Sequence, residues 1–542
     1  MSSRVLLIPL DDRPPCLQFP VRMGAIGDAE VVAPPQELLG RFTQFGRSDE
    51  IVNWLETQDL KRFDAAIVAL DMLAYGGLVG SRVQGDTSAT DALKRIEILR
   101  DLKKRAPRMP VYVQNVIMRL APTGTGDNES YRARLAEWAE ISVETDAKSK
   151  ARTAKLEKEI SAAALSDYKK ARQRNLQINL KAVEMTRDGT IDYLILSQDD
   201  AKPKGIHIAD REKLIAETKR LNLSEKIAVQ PGADEVSMLL LSRAMNKRFN
   251  FSPRIKAVYS SEELANKAMP FEDRALRETV SYHIKATGSR EVENERDADL
   301  LFYVYASRFE NGRAESFADE IWQTAKTWKK YIVADIDPKG DVQGADQKFT
   351  QELIKRGMFF NYSPAGYASW NTAGNTIGTA LPQGVLFALS KERLLKASIE
   401  RGKQVQKKPY DASLIFGDGL STPNKIASAQ LWFIMHRLLD DYVYHSLVRP
   451  ETKKFAAENK LNTLRFDAKD TRKVEAFIQE RMQFYIAKSA PNRVSCSVPC
   501  CFGGDNLSVV CFDLEKFNIY LPWDRTFEAE INFNFRACPG IT

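Results

Sequence analysis

The stretch Val5-Leu6-Leu7-Ile8-Pro9-Leu10-Asp11-Asp12-Arg13-Pro14-Pro15 carries the reading of the fold. An apolar run of strand length ends in two carboxylates, a guanidinium and two prolines. A run with no polar alternation has no solvent face, as expected of a strand covered on both sides in a parallel sheet. In such sheets the ligand-binding groups sit on the loops at the carboxyl edge. An arginine beside two carboxylates reads as a prearranged charge network, and Pro14-Pro15 stiffens it. A solvated turn after a buried strand is the plain alternative.

Working outward, the same grammar recurs. Strand-like runs lie at Glu30 to Ala33, Ala65 to Leu70, Val111 to Val116, Tyr193 to Ser197, Lys226 to Val229 and Ile255 to Tyr259. Amphipathic segments such as Thr90 to Arg105 and Ala209 to Leu221 separate them. Continuous apolar strands alternating with helices predict an α/β fold with a mostly parallel sheet flanked by helices. A second rhythm follows the charged segment 290–299, with strands at Leu300 to Tyr305, Tyr331 to Asp335 and Met358 to Tyr362. Two Rossmann-like units or a barrel-like arrangement both satisfy this pattern.

Residues 129–188 interrupt it. Glu129 to Met185 contain no proline or glycine, and apolar stripes such as Leu176, Leu180 and Val183 recur at helical spacing, so a long helix or helical hairpin is expected there. Beyond Tyr410 the pattern turns helical, then β-like from Ser497, with Pro522-Trp523 in a turn. The expected organisation is an N-terminal α/β domain (1–290) with the helical insertion, a second α/β unit (291–410), and a helical and small β-containing C-terminal region (411–542).

Composition narrows the function classes. The 542 residues are 44% hydrophobic and 28% charged, as in ordinary globular proteins. A net charge of +7, from 79 basic and 72 acidic residues, is too dispersed to suggest nucleic-acid binding. No apolar run approaches the roughly 20 residues that span a bilayer. The apolar run before Asp11 is too short for a signal peptide, so a cytoplasmic protein is expected. Cys16 lies beside the opening motif, while Cys496, Cys500, Cys501, Cys511 and Cys538 crowd the end of the chain. That spacing does not match a common zinc site, and buried free thiols are the first reading.

Five strand-end clusters are candidates for chemistry: Asp11-Asp12-Arg13; Asp71 with Tyr75-Gly76-Gly77; Gln114-Asn115 with Arg119; Gln198-Asp199-Asp200; and Gly232-Ala233-Asp234-Glu235. A sixth, Asn361 to Gly378, is dense in amides, hydroxyls, aromatics and glycines. It contains Trp370, Asn371 and Asn375, residue types suited to a polyhydroxylated ligand. Each cluster also has a structural reading: Asp234 and Glu235 suit a helix N-terminus, and Asp199-Asp200 suit an Asx turn.

No phosphate-binding Gly-x-x-x-x-Gly-Lys loop, Gly-x-Ser-x-Gly elbow or His-Glu-x-x-His motif is present. With four histidines in the chain, of which His207 beyond Asp200 is the one to watch, carboxylates are the abundant reactive type. In glycoside hydrolases one carboxyl is the acid and the other a base or nucleophile. The expected reaction is therefore a glycoside hydrolase-like one without a cofactor, with Asp11, Asp12, Asp71, Asp199, Asp200, Asp234 and Glu235 as catalytic candidates. Arg13, Tyr75, Asn115, Arg119, Trp370, Asn371 and Asn375 are the substrate-binding candidates, with Tyr75 and Trp370 as ring platforms. The alternatives are a hydrolase of phosphoryl or amide bonds that gathers the same carboxylates around a divalent cation, and a non-catalytic two-lobed sugar-binding protein. The partner expected is a small molecule, a sugar or glycoside, and the long helical stretch leaves room for a homo-oligomer.

The strings Ile8-Pro9-Leu10-Asp11-Asp12-Arg13-Pro14, Leu70 to Leu78, Gln198-Asp199-Asp200, Pro231 to Glu235, Trp370 to Asn375 and Pro522-Trp523-x-Arg525-x-Phe527-Glu528 together resemble an uncharacterised bacterial family of unknown function. The resemblance implies one integrated protein that includes its tail, and it implies no activity.

Overall fold

The computed structural model describes residues 2–327, 329–360, 363–407, 421–489, 493–499 and 505–537. Two open parallel sheets carry the fold. In the first, β1 (Ser3–Ile8), β2 (Ala29–Val32), β3 (Ala65–Ala69), β4 (Val111–Ile117), β5 (Tyr193–Gln198) and β6 (Ile227–Pro231) stand in the order β2-β1-β3-β4-β5-β6. In the second, β7 (Arg254–Tyr259), β8 (Arg290–Glu291), β9 (Leu300–Tyr305), β10 (Tyr331–Asp335) and β11 (Gly366–Ala368) repeat that order as β8-β7-β9-β10-β11. Every pairing in both sheets is parallel.

The apolar runs form these strands because both faces are covered. Val5 and Leu7 of β1 join a core shared with the second sheet and the C-terminal helices, whereas Leu6 and Ile8 join the core on the opposite face. The side-chain period of two thus divides one continuous apolar run between two cores.

Three sequence expectations change. The barrel-like arrangement does not form, because the two sheets are separate and open, and among the described residues neither pairs with the other. The strand at Arg254–Tyr259, grouped by rhythm with the first sheet, pairs with β9 of the second, so the change of sheet falls between Pro231 and Arg254. Met358 to Phe360 form a turn rather than a strand, and the edge strand is Gly366–Ala368. Asn361 and Tyr362 lie outside the described residues.

The interruption at 129–188 is three helices, Glu129–Ile141, Ala147–Glu159 and Ala162–Arg187. Leu135, Trp138, Leu156, Ile160 and Tyr168 give them a small core of their own, and the long third helix buries Ile178, Ala182 and Val183 against the first sheet. Its packing role follows from that face.

The C-terminal region runs through Ser421–Arg437 into an eleven-residue π-helix, Leu438–Val448. It ends in an antiparallel sheet of β12 (Arg493–Pro499), β13 (Asp505–Tyr520) and β14 (Glu530–Ala537). Among the described residues no helix is long and apolar enough to cross a membrane. Cys16 is a buried free thiol, whereas Cys500, Cys501 and Cys538 and the side chains of Cys496 and Cys511 lie outside the described part.

Sheet order places the functional region. In a 2-1-3 arrangement the chain leaves β1 on one side and returns on the other, opening a crevice at the carboxyl ends of the central strands. Asp11 to Arg13 follow β1 at that position.

Candidate active site

Arg13 is the centre of the arrangement. Its guanidinium is buried and bonds Asp11 at 2.7 Å, Asp234 at 2.6 Å and Glu528 at 2.8 Å. Trp523 covers it, with the guanidinium carbon 4.5 Å from the ring centroid. Burial alone would make Arg13 a weaker base, but the three carboxylates reverse this and hold it well above its usual value. Three carboxylates around one cation leave excess negative charge. Accordingly, burial together with Asp11 and Glu528 outweighs Arg13 and pushes Asp234 up to about 7. Asp12 is also raised to about 7, by burial and by Asp11, while its Oδ1 accepts the Trp523 indole N–H at 2.8 Å.

Beside this network lies a cavity of about 290 Å³, near the lower end of small-molecule sites. Arg13, Arg119, Asp199, Asp200, Asp234, Asn371 and Asn375, all anticipated from sequence, lie on its wall. Asp199 and Asp200 are held by different arginines. Arg82 bonds Asp199 at 2.5 Å and Thr123 at 2.8 Å, and Arg119 pairs with Asp200. Burial pushes Asp199 up, yet Arg82 and Arg119 together hold it below the usual carboxylate range. Asp200 is shifted upward, because burial and Asp199 outweigh Arg119.

The wall is also conformationally unusual. Of the ten described non-glycine residues with positive φ, Asp200 (34°), Phe271 (65°), Gln343 (57°) and Asn371 (53°) line this one cavity. Such sparsely populated backbone states cost free energy and concentrate at ligand sites.

Asp11, Asp12 and Glu235 stand immediately behind the wall. Glu235 is fully buried, accepting from Ala233 N at 3.1 Å and from Asn375 Nδ2 at 2.8 Å, with His283 Nε2 3.4 Å away. Glycines make room for it: a Cβ on Gly232, whose φ is +112°, would lie 1.7 Å from Glu235 Oε1, and one on Gly378 would lie 2.1 Å from its Cγ. Glu235 therefore positions Asn375.

Four candidates are not at the cavity. Asp71 is buried and ties β3 to β4 by accepting from Val116 N at 2.9 Å; burial raises it to about 7. Asn115 is buried and bonds Asn179 on the long inserted helix at 2.9 Å. The two expected ring platforms are corrected. Tyr75 is buried with Arg174 4.4 Å over its ring, and Trp370 packs edge-on to Phe19 and donates to Thr379 at 3.1 Å. A residue inside the core cannot present a face to a ligand; the open rings on the wall are Phe271 and Phe527, while Trp523, also on the wall, is buried with Arg13, Arg525 and Phe42 against its ring. His207 is buried with Nε2 2.9 Å from the Lys202 carbonyl oxygen, away from the cavity lining.

Sequence reasoning missed Arg82, Glu272, Trp523, Arg525, Phe527 and Glu528 as site residues. Glu272 matters most. It lies on the loop after β7 and is buried at the cavity wall, where its Oε1 accepts from Gly374 N at 2.9 Å. Its Oε2 has no partner among the described residues. Gly374 lies in the first turn of the helix Ala373–Lys407, a place that ordinarily favours a carboxylate. Burial nevertheless dominates, with Glu235 and Asp200 adding to it, and raises Glu272 to about 8.

As for a metal, the ligand atoms of Asp11, Cys16 and Asp234 gather within 4.8 Å of one another. The Arg13 guanidinium already bonds both of those carboxylates. This grouping does not fit a metal ion, because a protein cation fills the centre of charge.

A family model described as "Protein of unknown function (DUF4127)" matches residues 5–532. No curated protein matches the chain.

Proposed function

The chain belongs to this family of unknown function, and from the chemistry of its site we propose that it is a carbohydrate-active hydrolase of the glycoside hydrolase type. One observation carries the reading: Glu272 and Asp199 line the same cavity with their proton affinities pushed in opposite directions. Two carboxyls separated in this way are how a site keeps one proton donor and one anion at the same pH. Glu272, neutral and with Oε2 unpartnered, donates to the departing glycosidic oxygen. Asp199, held ionised by Arg82, stabilises the positive charge that develops on the sugar and serves as base or nucleophile.

The rest of the wall suits a sugar. Asn371 offers its amide oxygen to hydroxyls, and Phe271 and Phe527 offer apolar faces. Arg13 with Asp11, Asp234 and Glu528 is the frame that fixes these parts, and Asp12 holds Trp523 by its indole N–H. The cavity volume suits one or two sugar rings.

The test is release of a coloured leaving group from a panel of aryl glycosides by the full-length protein. Turnover by the wild type should fall by about 100-fold or more in Glu272→Gln and in Asp199→Asn. No turnover on any glycoside, or variants as active as wild type, contradicts the reading. Inactivation by EDTA with rescue by Mg²⁺ or Mn²⁺ would favour metal-assisted hydrolysis instead.

A further inference from the structure

Resting on the hydrolase reading, the geometry points to a substrate that carries an anionic group, a carboxylate or a phosphate, bound between Arg82 and Arg525. Arginine is abundant on this wall: Arg13, Arg82, Arg119, Arg132 and Arg525 all reach it. Arg13 is saturated by three carboxylates, and Arg119 is occupied by Asp200. Arg82 and Arg525 differ from these. Arg82 is buried, and its Nε has no partner among the described residues although its two terminal nitrogens are bonded.

Arg525 is the least satisfied. Its Nε also lacks a partner among the described residues, and the carboxylate facing it, Glu528, is 3.6 Å away with its other oxygen committed to Arg13 at 2.8 Å. Phe42, Trp523 and Phe527 surround its guanidinium at 5.0, 4.6 and 5.2 Å from their ring centroids. Such an aromatic surround fixes the plane of the fork. Burial, with smaller contributions from Arg13, Arg119 and Arg82, outweighs the attraction of Glu528 and lowers the proton affinity of Arg525.

A guanidinium that lines a small cavity, with a fifth of its side chain exposed and its nearest carboxylate 3.6 Å away, is poorly satisfied without a ligand. A carboxylate or phosphate supplies the missing acceptors as charge-assisted hydrogen bonds, each stronger than a neutral one. A neutral sugar hydroxyl gives Arg525 no charge-assisted bond.

Equilibrium binding tests this independently of turnover. Full-length Glu272→Gln protein is titrated calorimetrically with glucose, galactose, their 6-phosphates, glucuronate and galacturonate. At least one anionic sugar should bind about tenfold or more tightly than its neutral counterpart. A uronate preference identifies the carboxylate, and a 6-phosphate preference the phosphate. Adding Arg525→Gln should abolish the preference, and Arg525→Lys, which keeps the charge, should retain part of it. Equal binding of charged and neutral sugars, no binding of the anionic probes, or a preference that survives Arg525→Gln overturns the inference. Glycoside turnover without an anionic preference would overturn this inference alone. An anionic preference without turnover of any glycoside would overturn the hydrolase reading alone.

Discussion

Arg13 and Glu528 stand 515 residues apart in the chain and 2.8 Å apart in the fold. The bond joins the loop after the first strand to the segment that leads into the last one. It makes the C-terminal region part of the site: Trp523, Arg525 and Phe527 complete a cavity whose other walls come from both parallel sheets.

Removing that cation should be costly. Arg13→Ala leaves Asp11, Asp234 and Glu528 buried without their shared guanidinium, and breaking a buried ion pair by deleting one side costs about 3–5 kcal/mol. Urea denaturation should show a loss of that order. A loss below about 1 kcal/mol would mean that the network contributes little.

The glycine sleeve around Glu235 gives a prediction with an unusual sign. Alanine for glycine inside a helix ordinarily stabilises by up to about 1 kcal/mol. Gly378 lies inside the helix Ala373–Lys407, where a Cβ would sit 2.1 Å from Glu235 Cγ. Gly378→Ala should therefore destabilise, by about 1–3 kcal/mol as in other overpacked cores, and displace Asn375 from the cavity. A rise in melting temperature would show that Glu235 does not need the space.

Asp12 and Asp199 should behave differently. Asp12→Asn keeps an oxygen for the Trp523 N–H and removes only a charge that burial already disfavours, so turnover should stay within about tenfold of wild type. Asp199→Asn removes the anion itself and should cost about 100-fold or more. Equal losses from the two would return Asp12 to the reacting groups.

How much of this was legible before folding depends on the kind of signal. Continuous apolar runs announced both sheets, and carboxylates at their carboxyl ends announced Asp199, Asp200 and Asp234, because strand ends are local features. Tyr75, Asn115 and Trp370 carried the same local marks yet turned into the core, a choice made by packing partners such as Arg174, Asn179 and Phe19. Glu272 was invisible for the opposite reason. Nothing in Pro270-Phe271-Glu272-Asp273 marks a site until the N-terminus of a helix about a hundred residues later meets it at Gly374, 2.9 Å away.

Glu272 should also leave a mark on stability. Its pKa is raised from 4.5 unfolded to about 8 folded, so above pH 4.5 the folded state binds more protons than the unfolded one, and stability declines as pH rises toward 8. Glu272→Gln keeps the acceptor for Gly374 and removes the titration. Relative to wild type it should gain stability between pH 5 and 8.5, on the order of 2–4 kcal/mol. Parallel urea titrations at the two pH values measure it, and an unchanged difference between the proteins would mean that Glu272 is ionised in the fold.

In the proposed hydrolysis a neutral Glu272 donates the proton and an ionised Asp199 supports the developing charge. The most direct test of these two roles is the pH dependence of kcat/KM for wild type and Glu272→Gln on a glycoside that the wild type turns over. The wild-type rate should fall as pH rises through about 8, where Glu272 loses its proton, with an acid limb below the ordinary carboxylate range set by Asp199. In Glu272→Gln the rate should be lower by about 100-fold or more, with the limb near pH 8 gone. A limb near pH 8 that persists in Glu272→Gln would contradict the account.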